Sequence, residues 1–297
     1  MASHSDILCI GSVLWDVIGR SASVMRQGSD VPGRITRIPG GVALNIAMAL
    51  ARFGLKPALL TAIGRDAEGD ELIAACRARG LETDLAYRSD DLPTDVYMAV
   101  EGANGLIAAI ADAHSLEAAG DKILAPLSDG RLASDDAPYM GPVALDGNLT
   151  HDLLGQIAHS PILAHADLRV APASPGKAER LLPFVQTGRG TIYVNLEEAG
   201  ILCHQRFDNA RDAAAGLLAR GAQRVLVTNG GQDASEGRED GIITRTPPQV
   251  LVTRVTGAGD TFMAAHIAAD IRGASSAEAL EQALQTAATY VSGETPL

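Results

Sequence analysis

Thr256-Gly257-Ala258-Gly259-Asp260-Thr261-Phe262 combines residue types that could stabilise a negative charge and move a proton. It follows Val250 to Val252, which reads as a strand, and it opens an alanine-rich helix expected over Ala258 to Ile271. Glycines at such a junction let the backbone turn tightly, so successive amides at the helix start converge on one point. With the positive end of the helix dipole, they make an anion site. Asp260 admits two readings. It is an N-cap, or it is a base that takes a proton from a hydroxyl while neighbouring amides stabilise a transferring phosphoryl group. Other glycine motifs fail. GxGxxG needs glycine where Phe262 stands, and Gly176-Lys177 is followed by Ala178, with Ala171 five residues before Gly176, so no GxxxxGK[ST] exists. GxSxG and HExxH are also absent.

The elements that must position this loop alternate. Strands are expected at Ile7–Ile10, Ala58–Ile63, Val143–Leu145, Ile162–Ala164, Ile192–Val194 and Val225–Thr228. Helices are expected at Ala43–Phe53, Glu68–Arg79, Thr150–Ala158, Lys177–Val185, Asn209–Ala219 and Ala277–Val291. Gly54 and Gly80 stop the first two. This rhythm predicts the α/β class: a doubly wound, mostly parallel sheet flanked by helices. Two segments break it. Val13 to Arg37 has no helical period, and Thr94 to Ala111 reads as a hairpin around Gly102-Ala103-Asn104-Gly105. A small β-sheet lid is expected from them, the alternative being a decorated edge of the main sheet. The chain, residues 1–297, is then one α/β domain with lid insertions at approximately 13–37 and 94–111.

Composition sets the limits. With 36 acidic against 24 basic residues and lysine only at 56, 122 and 177, the chain lacks the basic footprint that nucleic acid requires. Its longest uncharged stretches, such as Ile38 to Ala51, are about 14 residues, too short to span a membrane. The first residues show neither a basic nor an apolar signal region. Cys9, Cys76 and Cys203 are too far apart in sequence to suggest a zinc site or a disulfide framework, and each is expected to be a small apolar filler. A cytoplasmic location is the expectation.

Gly257-Ala258-Gly259-Asp260 resembles the C-terminal signature of the ribokinase (PfkB) family of sugar and nucleoside kinases. Gly40-Gly41-Val42-Ala43-Leu44-Asn45-Ile46-Ala47, running on to Gly54, resembles its N-terminal signature. Asn195-Leu196-Glu197-Glu198 is similar to the family's NxxE motif, and Thr228-Asn229-Gly230-Gly231 to its nucleotide loop. The four stand in family order over nearly the whole chain. The resemblance implies ATP-dependent phosphorylation of a hydroxymethyl group, with Asp260 as base and the backbone at Gly257, Ala258 and Gly259 as anion hole. It implies that Asn195 and Glu198 organise Mg²⁺, water and ATP phosphates, Glu198 through water, and that Thr228 and Gly230 donate to ATP. Gln285 would lie near adenine, although a solvated helix glutamine is an equal reading.

On the substrate side, Asp16 follows the first strand at the sheet edge where α/β proteins bind ligands, and a carboxylate there can accept two sugar hydroxyls. An ordinary turn aspartate is its plain alternative. Gly40 and Gly41 would permit close approach of substrate, and Asn45 can donate and accept on the helix that follows. One departure stands out. Arg254 occupies the position, three residues before the loop, where the family usually has an acid, so it either touches phosphate or faces solvent.

Local stretches resemble the pseudouridine-kinase branch: Val96 to Val100 with Leu106 to Asp112, Leu145-Asp146-Gly147-Asn148-Leu149, and Pro172 to Ala178. Lys177 in the last of these could equally be a surface residue. The expected reaction is phosphorylation of a small-molecule sugar or nucleoside, first of all O5′ of pseudouridine, with a homodimer formed through the lid. Ribose, another nucleoside, fructose or 2-keto-3-deoxygluconate are alternative substrates. A non-catalytic sensor with the same fold, prompted by Arg254, and a dinucleotide-dependent oxidoreductase, which lacks an early GxGxxG, are the rival classes.

Overall fold

The computed structural model describes residues 5–293. Along the chain the strands are β1 (Ile7–Ile10), β2 (Leu14–Arg20), β3 (Arg34–Gly40), β4 (Pro57–Leu60), β5 (Ala62–Gly64), β6 (Tyr87–Ser89) and β7 (Val96–Gly102). They continue as β8 (Gly105–Asp112), β9 (Pro142–Asp146), β10 (Asp167–Ala171), β11 (Thr191–Asn195), β12 (Arg224–Asn229), β13 (Gln232–Arg238) and β14 (Gly241–Arg245). The helices are α1 (Val42–Arg52), α2 (Ala67–Arg77), α3 (His114–Ala119), α4 (Ala125–Ser128) and α5 (His151–His159). The remaining helices are α6 (Leu182–Thr187), α7 (Leu196–Cys203), α8 (Ala210–Ala219), α9 (Ala258–Ile271) and α10 (Ser276–Ser292).

Eight strands form the main sheet in the order β14-β13-β12-β11-β10-β9-β1-β4, parallel from β12 to β4 and antiparallel at β13 and β14. Strand alternation divides the core. Leu8 and Ile10 point to one face, where they join Leu154 of α5, Phe184 of α6 and Leu217 of α8. Ile7 and Cys9 point to the other, against Leu44 of α1, Met263 of α9 and Leu280 of α10. Burial on both faces explains why these strands read as unbroken apolar runs. The three cysteines are buried and free.

The two segments without helical rhythm pair with each other. β2 runs antiparallel to β3 and parallel to β7, and β7 turns back into β8, giving a four-stranded sheet β3-β2-β7-β8. Its hairpin bends at Ala103-Asn104, but the positive φ of +93° falls on Gly105, not on Asn104. The turn is therefore not the mirror-image type that an Asn-Gly pair favours.

Four expectations are corrected. No strand runs through Ile162–Ala164. Pro161, which lacks an amide hydrogen and fixes φ, starts a short 3₁₀ turn over Pro161–Leu163, and the strand is β10, four residues past Leu163. Val250–Val252 is exposed and irregular, so the glycine loop is not fed by a strand. Instead, the Thr253 and Arg254 amides both donate to the Val291 carbonyl near the end of α10. The helix expected over Lys177–Val185 divides into a 3₁₀ segment, Pro175–Leu181, and α6. The single strand expected over Ala58–Ile63 also divides, at Thr61, into β4 and β5.

Candidate active site

The C-terminal ends of the parallel strands, the starts of α1 and α9 and one face of the small sheet enclose a cleft of about 550 Å³. This is the edge at which open α/β sheets bind ligands. Asp16, Gly41, Asn45, Asn195, Glu198 and Thr228 line it, together with Gly257, Gly259 and Asp260. Residues that lie up to 244 positions apart in the chain thus share one cavity. Gly40 and Ala258 flank it. Gly230 is exposed at the end of β12, and Gln285 is exposed on α10, outside the lining.

Asp260 lies in the first turn of α9, half-buried, where its Oδ2 accepts from Asn45 Nδ2 at 2.9 Å. Burial pushes its carboxyl up to about 7. The Asn45 bond opposes this, while the charges of Asp146 and Asp16 add to it. A carboxylate that titrates near neutrality is suited to accept a proton from an alcohol and release it again. Of the loop amides, Ala258 N–H is already committed to the Val255 carbonyl at 3.0 Å. Those of Gly257 and Gly259 donate to no other described group, so an anion would be met chiefly by these two and by the helix dipole.

The bend into the helix depends on Gly257, which has φ +84°. A Cβ there would lie 2.6 Å from Tyr290 Oη, and that hydroxyl donates to the Thr256 carbonyl at 2.9 Å. Tyr290 also holds Arg254, whose guanidinium stacks 3.8 Å above its ring while Nε donates to its backbone carbonyl at 2.7 Å. Arg254 thus lies outside the cleft lining, solvent-exposed but held on Tyr290. It clamps the glycine loop to α10.

The substrate side rests on close backbone approach. A Cβ on Gly40 would collide with the Asp16 carboxylate, and one on Gly41, at φ +98°, with the Ser12 carbonyl at 2.5 Å. These glycines make room for the protein's own polar groups. Asp16 is pushed up to about 6 by burial.

Asn195 and Glu198 form a reciprocal cap at the start of α7. Asn195 Oδ1 accepts from the Glu198 amide at 2.9 Å, and Glu198 Oε2 from the Asn195 amide at 2.8 Å. Burial raises the Glu198 carboxyl to about 7 against the pull of the Asn195 amide, with Glu197 adding to the rise. Its second oxygen has no partner among the described residues, and the residue lines the cleft. No group of three or more His, Cys, Asp or Glu side chains suited to a metal occurs among the described residues. One free carboxylate oxygen fits a Mg²⁺ ion held mainly by water and phosphate, not a protein cage.

Two supporting clusters were not legible as such. Beneath α1, the fully buried Asp146 accepts from the amides of Ser12 (2.8 Å), Ala43 (3.3 Å) and Asn148 (2.7 Å), and from the Ser12 hydroxyl. Ser12 Oγ in turn accepts from Val42 N–H at 2.9 Å, fixing the start of α1. Beneath α9, Asp270 takes Arg169 at 2.5 Å and Arg224 at 2.8 Å, and His266 meets the Tyr193 hydroxyl at 2.8 Å. Both networks hold in place the helices that carry Asn45 and Asp260. The signal for the first was a run of polar residues just past the end of a buried strand.

Comparison with known proteins agrees with this geometry. A pfkB family carbohydrate kinase model matches residues 4–295. Pseudouridine kinase of Escherichia coli (strain K12) is 28% identical over 270 residues, covering 89% of this chain and 83% of the relative. Ribokinase of Bacillus subtilis (strain 168) is 27% identical over 297 residues, covering 96% and 92%. Among solved structures, a carbohydrate kinase from Agrobacterium tumefaciens superposes with TM-score 0.80 at 26% identity, covering 96% of this chain and 90% of that one. Arabidopsis thaliana ribokinase, complexed with ribose and ATP, shares the fold with TM-score 0.79 at 20% identity, covering 97% and 93%. No helix among the described residues is long and apolar enough to cross a membrane. The chain belongs to the pfkB family of carbohydrate kinases and is an ATP-dependent kinase of a carbohydrate or nucleoside.

Proposed function

We propose that this kinase transfers the γ-phosphoryl group of ATP to a primary hydroxyl of a ribosyl substrate, with pseudouridine, at O5′, as the favoured acceptor. The observation that carries the reading is the placement of the Asp260 carboxylate beside the free amides of Gly257 and Gly259, in one cleft with Asp16 and Asn45. Similarity to a pseudouridine kinase over most of both chains supports the choice of acceptor.

In this mechanism Asp16 accepts hydrogen bonds from the sugar hydroxyls and Asn45 orients Asp260 toward the primary one. Asp260 takes the hydroxyl proton as the oxygen attacks phosphorus, and the Gly257 and Gly259 amides stabilise the equatorial oxygens. Thr228, paired with Asn195 across β12 and β11, offers a hydroxyl to the nucleotide. Mg²⁺, when bound, would neutralise phosphate charge, and Glu198 is the residue that would hold it, through water. Asn195, Gly230 and Gln285 remain assigned to the ATP side, Gln285 on the least support because it faces solvent.

The small sheet serves as a lid, since Asp16, Ile18, Tyr97 and Ala99 face the cleft. Its other face exposes Ile35, Met98 and Ile110, which supports a homodimer formed through the lid. A cytoplasmic location accords with three free, buried thiols. The sensor reading gains nothing from Arg254, which is occupied by Tyr290.

The test is ATP-to-ADP turnover with pseudouridine, uridine, ribose, fructose and 2-keto-3-deoxygluconate. The expected result is acceptor-dependent turnover, fastest with pseudouridine. Tight acceptor binding without turnover would return the sensor reading.

A further inference from the structure

Two cations line the cleft, Arg20 and Lys177. Arg20 is neutralised by Glu101 at 2.6 Å. Lys177 is half-buried on the 3₁₀ segment after β10, and its ammonium meets Asn148 Oδ1 at 2.5 Å and no carboxylate among the described residues. Asn148 is itself fixed from both sides. Its backbone amide donates to Asp146 Oδ1 at 2.7 Å, and its side-chain amide donates to Ser12 Oγ at 3.0 Å and to Asp146 Oδ2 at 3.3 Å. From the other side, Arg180 donates to the carbonyls of Asn148 at 2.9 Å and Leu149 at 3.0 Å. The amide nitrogen is thus committed to an acid and a hydroxyl, so the amide oxygen must face Lys177.

An ammonium has three protons to donate and cannot accept. One proton is taken by Asn148. Burial and the neighbouring Arg180 lower the affinity of Lys177 for its proton, which Asp146 and Glu117 partly restore. A half-buried cation with unspent donors gains most from an oxygen that carries no proton of its own. Sugar hydroxyls already find acceptors in Asp16 and Asp260. A carbonyl or carboxylate oxygen does not, and the same lining includes Tyr97, Ala99, Ala111 and Ala113, mostly apolar side chains that a planar group can pack on.

We propose that Lys177, held by Asn148, is the specificity-determining residue of this cleft, donating to a carbonyl or carboxylate oxygen outside the ring that bears the reactive hydroxyl. The inference rests on the proposed kinase reaction but is read out by binding alone. Titration calorimetry on the wild type, Lys177→Met and Lys177→Arg would use pseudouridine for a carbonyl, 2-keto-3-deoxygluconate for a carboxylate and ribose for neither.

The wild type should bind at least one acceptor-bearing compound more tightly than ribose. Lys177→Met should weaken that compound about tenfold or more, the effect of losing a charged hydrogen bond, while ribose changes less than twofold and Lys177→Arg recovers part of the loss. The compound that responds identifies the source of the oxygen. Equal losses for ribose and the acceptor-bearing ligands, no loss at all, or a wild type that prefers ribose would each overturn the proposal. If selective binding depends on Lys177 but no phosphoryl transfer occurs, the kinase chemistry assigned above fails and the role of Lys177 stands.

Discussion

Asp260→Asn separates the cost of the candidate base to the fold from its use in the reaction. The substitution keeps the shape of the side chain and leaves an oxygen to accept from Asn45, but removes the charge. Raising the carboxyl from an ordinary 3.8 to about 7 makes its ionised form cost the native state about 4 kcal/mol, at ~1.4 kcal/mol per tenfold change in acidity constant. The sign follows from proton binding. The native state holds this proton more tightly than the unfolded chain, so stability falls as pH rises from about 4 to about 7, and the full cost is carried above that. At pH 8 the variant should therefore be more stable than the wild type, by about 8 °C in Tm at roughly 2 °C per kcal/mol for a chain of this size. The gap should close toward pH 4. Turnover should move the other way, kcat falling roughly 10²- to 10⁴-fold with the acceptor's Kd nearly unchanged. In the wild type, kcat/KM should rise with pH through about 7. Calorimetric melts at several pH values and a coupled ADP assay read both quantities. A kcat within threefold of wild type would refute the base, and a lower Tm at pH 8 would refute the burial argument.

Gly257→Ala forces a side chain into left-handed backbone and against Tyr290 Oη, so it should cost about 1–3 kcal/mol and raise the KM for ATP. An unchanged Tm and KM would show that the loop does not need the glycine. Glu198→Gln keeps the reciprocal cap, because glutamine also fits that position, but removes the charge. The Mg²⁺ concentration for half-maximal rate should rise about tenfold, and Tm at pH 8 should rise, since the burial cost of the ionised carboxylate is removed as at Asp260, whereas a large Tm loss with unchanged Mg²⁺ dependence would make the residue purely structural. Sedimentation should find a dimer that Ile110→Lys dissociates, and a wild type sedimenting at 30.8 kDa would contradict the lid interface.

Most of the parallel core was legible because strands buried on both faces are continuous apolar runs. β10 was not, because Arg169 interrupts its run. That arginine is 4% exposed and paired with Asp167 and Asp270, a partnership that local sequence cannot reveal. The β13–β14 edge was missed for a similar reason, since Gln232–Arg238 is polar yet buries Ser235 and Glu236. Val250–Val252 misled in the opposite direction. Its apolar residues follow Pro247-Pro248, which cannot donate in a sheet ladder. Around the site, the motif residues Asp16, Asn45 and Asp260 were legible and do share one cleft. What holds them was not, because pairs such as Ser12 and Asp146 meet only through the fold, 134 residues apart.

The central claim is that the carboxylate at the start of α9 directs phosphoryl transfer from ATP to a primary hydroxyl bound in the same cleft. Phosphorus NMR of the product formed from ATP and pseudouridine tests it most directly. The account predicts one new phosphomonoester, coupled to the two protons of C5′, formed by the wild type and absent with Asp260→Asn. Phosphorus on a secondary hydroxyl, or the same product at the same rate from the variant, would contradict it.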